Sequence, residues 1–182
     1  MANETVFELT EPLDMHLHLR DADMLKLVGP LTSNTFSGAL IMPNLVPPVT
    51  TKEALLSYKD RIKDACKDDN FEPFVTLFFK NDYSYEFLED IKKDIIGIKL
   101  YPAGITTNSE TGVSSMNVEN LRPTLESMSK LGIPLCINGE TNGFVMDREN
   151  VFMSIYEAIA KASPSLKIIL EHITTKDAIE LL

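Results

Sequence analysis

Apolar residues along this chain fall into short dense runs, separated by longer stretches of mixed pattern. The runs are Phe7 to Leu19 (broken by Pro12), Gly38 to Met42, Pro73 to Phe79, Ile95 to Tyr101, Ile133 to Ile137 and Leu166 to Leu170. They are rich in β-branched and aromatic residues, which suit a pleated, buried surface, and they read as six strands. The stretches between them place apolar residues three and four apart, the spacing of one helix face. The clearest opens at Thr50-Thr51-Lys52-Glu53 and runs to Lys67, with Leu55, Leu56, Ile62 and Ala65 as its stripe and a threonine as its cap. Ser84 to Lys93, Asn117 to Lys130, Asp147 to Lys161 and a last segment opening at Thr174-Thr175 follow the same rule. Gly132 supplies a stop for the helix before it, and residues 22 to 33 give the weakest helical pattern.

Six β-α units in succession, with strands too apolar to face water on either side, predict a parallel sheet covered by helices. No Gly-x-Gly-x-x-Gly and no Walker-type loop follows any strand, so a nucleotide-binding version of this α/β class has no support. What remains is a (β/α)8 TIM barrel, which needs eight units and typically ~250 residues. The 182 residues hold about six. Either residues 1–182 are a single incomplete barrel domain whose C-terminal units are missing, or the fold is an open sheet. One connection stands out: Pro102 to Met116 is a long run of Gly, Ser, Thr and Asn. Such a loop is functional or mobile, and its composition offers little to pack. It leaves the C-terminal end of the fourth strand, where barrel enzymes carry their sites.

Composition narrows the function classes. Hydrophobic residues make up 44% and charged residues 24%, which excludes disorder. Lys and Arg total 17 against 27 Asp and Glu, a net charge of −10. That balance disfavours a nucleic-acid binder, which attracts phosphates with clustered positive charge, and docking on an anionic membrane. No apolar run reaches the ~18 residues of a membrane span. The opening MANETVFELTEP carries acids and no apolar core, unlike a signal peptide, so the expected address is cytoplasmic. Cys66 and Cys136 form no CxxC pair and read as two reduced thiols.

Candidate chemistry gathers at strand ends. His16 and His18 are two of only three histidines, in Asp14-Met15-His16-Leu17-His18-Leu19-Arg20. Residues i and i+2 of a strand share a face, so the two imidazoles can bind one metal ion. The bland alternative is a pair of partly exposed histidines. Arg20 lies two residues on; a guanidinium beside a metal suits a carboxylate, which its fork can grip at two points. Lys99 sits between Ile98 and Leu100, where burial is costly, so it either has a function or snorkels to water. His172 follows the sixth strand and Asn44 the second, in Met42-Pro43-Asn44. Each alone reads equally well as an ordinary rim or turn residue.

Taken together, four stretches resemble the N-terminal part of a dihydroorotase of the short bacterial and yeast type, within the amidohydrolase superfamily. They are Asp14–Asp21 (DMHLHLRD), Met42–Thr50 (MPNLVPPVT), Ile98–Val113 (IKLYPAGITTNSETGV) and Leu170–Thr174 (LEHIT). The resemblance implies a barrel with two zinc ions per protomer. His16 and His18 would bind the first ion, His172 the second, and an N-carboxylated Lys99 would bridge them. Arg20 and Asn44 would hold the substrate carboxylate, with Thr106 and Thr107 on a lid formed by residues 102–116. The implied reaction is the reversible cyclisation of N-carbamoyl-L-aspartate to (S)-dihydroorotate in de novo pyrimidine (UMP) biosynthesis. The implied partners are this small-molecule substrate and a second copy in a homodimer.

Two departures accompany the resemblance. The family has a further metal-binding histidine after strand five, in an H-G-E context, where this chain reads Asn138-Gly139-Glu140. The family's general-base aspartate follows strand eight, beyond Leu182. The 182 residues alone are therefore expected to be inactive. Two further readings stay open: a catalytically dead homologue kept as a structural partner, and another cyclic amidohydrolase such as a dihydropyrimidinase.

Overall fold

Most of the helices begin where a short polar side chain accepts a hydrogen bond from a first-turn N–H that the helix itself leaves unpaired. The structure, a computed structural model, describes residues 8–182; Phe7, the start of the first expected strand, lies outside them. Asp21 caps α1 (Ala22–Ser33), Thr51 caps α2 (Lys52–Ala65), Ser84 caps α3 (Tyr85–Ile91), Asn117 caps α4 (Val118–Leu131) and Thr175 caps α6 (Lys176–Leu181). Only α5 (Arg148–Ala162) starts without such a bond. Gly132 closes α4 in the left-handed conformation, at φ 70°, that glycine adopts without strain.

The strands are β1 (Leu13–Leu17), β2 (Gly38–Ile41), β3 (Glu72–Phe78), β4 (Gly97–Leu100), β5 (Leu135–Ile137) and β6 (Ile168–Leu170). They form one sheet in the order β1-β2-β3-β4-β5-β6, every neighbouring pair parallel. This is six units of a (β/α)8 barrel, curled but unclosed. The curl is large enough that His16 on β1 and Glu171 just after β6 stand 3.2 Å apart, although their strands are the two edges of the sheet.

Alternation sorts the strand residues. Ala39, Ile41, Val75, Leu77, Ile98, Leu100, Leu135 and Ile137 join the helices in one continuous core. Their neighbours face the inside of the curl. Phe78, Lys99, Cys136 and Ile169 pair in register across β3 to β6 and make one inner row. Tyr101, Asn138 and Glu171 stand two residues further on, and so in the next row.

His16 and His18 share a face, as their spacing predicts, but which face that is depends on an irregularity in β1. Between Asp14 and Leu17 β1 spends three steps against two on β2, a bulge of one residue. The bulge switches parity. Leu13, below it, and Met15, within it, line a 140 Å³ hollow with Leu40, Phe74 and Ile96. Leu17 above it turns out to the core, and so His16 and His18 turn in.

The loop 102–116 also differs from its expected looseness. Pro102 bridges to Val113, Val113 N–H donates to the Tyr101 carbonyl (2.8 Å), and Ser109, fully buried, donates its hydroxyl to Thr106 O (2.7 Å). A Cβ at Gly112 would run into the carbonyl oxygens of Tyr101 and Ser109, so only glycine lets the loop fold this tightly. Backbone and hydroxyl hydrogen bonds do the packing that apolar side chains do elsewhere.

Candidate metal centre

Three histidines, one lysine and one glutamate converge at the C-terminal mouth of the curl. Each imidazole of the β1 pair has an acceptor on its Nδ1. His16 Nδ1 faces Glu171 Oε1 (3.2 Å), and a carboxylate can only accept. His18 Nδ1 faces Asn44 Oδ1 (2.9 Å), and the other end of that amide donates to the Thr107 carbonyl (2.8 Å). Both histidines therefore carry their proton on Nδ1. Burial, the largest cause, brings both down to about 4, so both are neutral at pH 7.

The consequence is electrostatic. His16 Nε2 and His18 Nε2 stand 3.2 Å apart, each presenting a lone pair. Two facing lone pairs repel each other and together attract a cation. Zinc–nitrogen bonds of 2.0–2.1 Å in a tetrahedral arrangement put two nitrogens ~3.4 Å apart, so the spacing fits a shared zinc ion. Among the described residues, no group of three or more His, Cys, Asp or Glu side chains is arranged to hold an ion. The pair is thus two donors of a set that needs others.

Lys99 is the nearest of the others. It has no exposure at all, which removes the snorkelling alternative. Its Nζ contacts Glu171 Oε2 and lies 5.0 Å from the centre of the Tyr101 ring. Burial brings this amine down to about 7, against the opposing pull of Cys136 and Glu140. A buried amine with a neutral fraction near pH 7 is a nucleophile as well as a charge.

His172 follows β6 in the left-handed conformation, at φ 40°, and its ring centre lies 5.2 Å from that of His16. Burial, then the charge on Lys99, lowers its pKa. Its Nε2 is taken up by Asn138 Oδ1 at 3.1 Å. Asn138 Nδ2 is buried with no partner, so exchanging the two amide ends leaves His172 Nε2 engaged all the same.

Arg20 reaches the same mouth by a route other than strand alternation. β1 has ended, and the residue takes a left-handed backbone, φ 58°, with its carbonyl held by the Tyr58 hydroxyl (2.9 Å). Its Nη1 is buried without a partner. An unpaired buried guanidinium donor is costly, and a carboxylate would satisfy it. Asn44, expected as a carboxylate holder, has partners at both ends of its amide and one Nδ2 hydrogen to spare. Its Oδ1 accepts from His18 and from the Tyr101 hydroxyl (3.2 Å), and its Nδ2 holds the loop. Of the two loop threonines, Thr107 reaches the site through its carbonyl, while Thr106 is half-buried behind it. Sequence reasoning passed over Glu171 and Tyr101. The signal for Glu171 was an acid immediately after an apolar strand, next to a candidate ligand.

No family model matches the chain. Curated relatives do. A dihydroorotase of Helicobacter hepaticus is 43% identical over 176 residues, covering 96% of this chain and 51% of that protein. A dihydroorotase of Shewanella frigidimarina is 45% identical over 182 residues, covering 97% and 52%. Among solved structures, the dihydroorotase of Campylobacter jejuni superposes with a TM-score of 0.92 at 62% identity, covering 94% of this chain and 51% of that one. This chain matches half of a dihydroorotase. The yeast dihydroorotase, solved with 5-fluoroorotic acid, has a TM-score of 0.83 at 31% identity, over 93% of this chain and 49% of that one. An L-hydantoinase (dihydropyrimidinase) of Arthrobacter aurescens has a TM-score of 0.73 at only 16% identity, which speaks for a shared fold alone. The chain spans about half the length of the curated dihydroorotases it matches.

Proposed function

We propose that residues 1–182 are one incomplete barrel domain carrying the metal-binding and carboxylate-binding half of a dihydroorotase. The reaction is the reversible cyclisation of N-carbamoyl-L-aspartate to (S)-dihydroorotate. The observation that carries this reading is the convergence of His16 Nε2 and His18 Nε2 beside a buried Lys99 and a guanidinium donor on Arg20 that has no partner. Zinc bound at the histidine pair would act as a Lewis acid on the ring amide carbonyl.

The chain's own residues have separate tasks. Asn44 holds the His18 imidazole in the tautomer that leaves Nε2 free. Lys99, carboxylated on its amine, turns a costly buried cation into an anionic donor for the same site. Arg20 grips the substrate carboxylate through Nη1, and Asn44 joins it by exchanging the Thr107 carbonyl for that carboxylate. Thr106 and Thr107 then move with ligand, which makes residues 102–116 the lid. A homodimer and a cytoplasmic address complete the reading. The general base is left to a residue outside this chain.

A second reading, a catalytically dead structural partner, has one observation in its favour: Asn138 occupies His172 Nε2. One experiment separates the two. The full-length protein should retain zinc through gel filtration and turn over dihydroorotate, and His16→Ala with His18→Ala should lose both. Zinc without turnover would favour the structural partner. A protein that takes up no zinc would refute the enzyme reading.

A further inference from the structure

Glu171 is a buried acid to which no role has been attached. Its side chain is 4% exposed, and a carboxylate so placed is expensive unless both oxygens are partnered. Oε1 accepts from His16 Nδ1 at 3.2 Å, while Oε2 lies against Lys99 Nζ without a hydrogen bond of its own. The residue reaches His16 from the opposite edge of the sheet, across the opening between β6 and β1.

We propose that Glu171 is a positioning residue that sets the tautomer and the orientation of His16 for metal capture. The inference rests on the zinc reading above. A free imidazole in water favours the proton on Nε2, the nitrogen that here must be bare. An anionic acceptor on Nδ1 reverses that preference and raises the donor strength of Nε2. Asn44 does the same for His18 with a neutral oxygen, so the two ligands are primed by acceptors of different strength.

The test uses the full-length protein. Zinc affinity is read by competition with a chromophoric chelator, and the His16 tautomer by long-range ¹⁵N–¹H spectra of the metal-free, histidine-labelled protein. Glu171→Ala should weaken zinc binding about 10- to 100-fold and move the His16 proton to Nε2. Glu171→Gln keeps an oxygen acceptor in the same place, so it should recover most of the affinity and the Nδ1–H tautomer. Zinc binding by Glu171→Ala within about twofold of the parent would overturn the proposal. So would a Glu171→Gln as weak as Glu171→Ala with the tautomer unchanged, because Glu171 would then serve Lys99 rather than His16. If Glu171→Ala does not fold, the parent spectrum still decides: His16 protonated on Nε2 in the parent overturns the proposal. A parent that binds no zinc refutes the functional reading instead, and leaves the tautomer measurable.

Discussion

The two sides of the candidate metal centre use the same side chain to different ends. On the β1 side, His16 and His18 each meet an acceptor on Nδ1, so both Nε2 lone pairs face the mouth, 3.2 Å apart. On the β5–β6 side, the Nε2 of His172 is tied to the Asn138 amide. All three imidazoles are partly buried with lowered pKa values, so protonation does not distinguish them. What distinguishes them is where the hydrogen-bond partner sits on the ring. A histidine becomes a ligand through its far nitrogen.

This comparison can be broken by deletion. In the full-length protein, His16→Ala or His18→Ala should cost more than 100-fold in affinity for the tightly held zinc, since loss of a supporting partner alone costs 10- to 100-fold. His172→Ala should change that affinity by less than about threefold. Equal losses at all three positions, measured by chelator competition, would erase the distinction between the two sides.

Arg20 belongs to neither side, and its effect should fall on substrate alone. Arg20→Lys removes the fork and the Nη1 donor, so dihydroorotate binding should weaken about 10- to 100-fold, the range of a lost charge-assisted hydrogen bond. Zinc content by mass spectrometry should not change. A fall in zinc would place Arg20 in the metal centre.

Asn138→His would make the two sides alike. The new imidazole replaces an amide that zinc takes poorly. Zinc per protomer should rise from about one to about two, as in a two-metal hydrolase. Two tightly bound ions with Asn138 in place would show that His172 escapes the amide without help.

The smallest expected effect is on pH. In the unfolded chain His16 and His18 have their ordinary value of 6.5, and in the folded chain about 4. Between these values the unfolded state takes up protons that the folded state does not, so stability falls as pH falls through this window. The urea midpoint of the metal-free protein should decline from pH 6.5 to 4.5. Most of that slope should vanish in the His16→Ala, His18→Ala double variant, and a slope unaffected by it would assign the titration elsewhere.

The periodicity of the sequence was enough for six β-α units with a parallel sheet, though not to choose between a barrel and an open sheet. Strands are short apolar runs because both faces are covered, and helices carry stripes because one face is wet. Thr51, Ser84, Asn117 and Thr175 mark helix starts by a local bond, which needs no knowledge of the fold. Lys99 was legible as a candidate because it is out of keeping with its place, and His16, His18, Arg20 and His172 because of the company they keep. Their arrangement was not. The bulge in β1 that turns His16 and His18 inward is a matter of pairing with β2, and sequence spacing alone cannot register it. The partners of His16 and His18 come from residues 155 and 26 positions away. The loop 102–116 is ordered by hydrogen bonds that composition does not reveal. Local chemistry, short in range, is written in the order of residues. Which nitrogen of a histidine is bare depends on an acceptor brought by another strand, and only the curl of the sheet decides that.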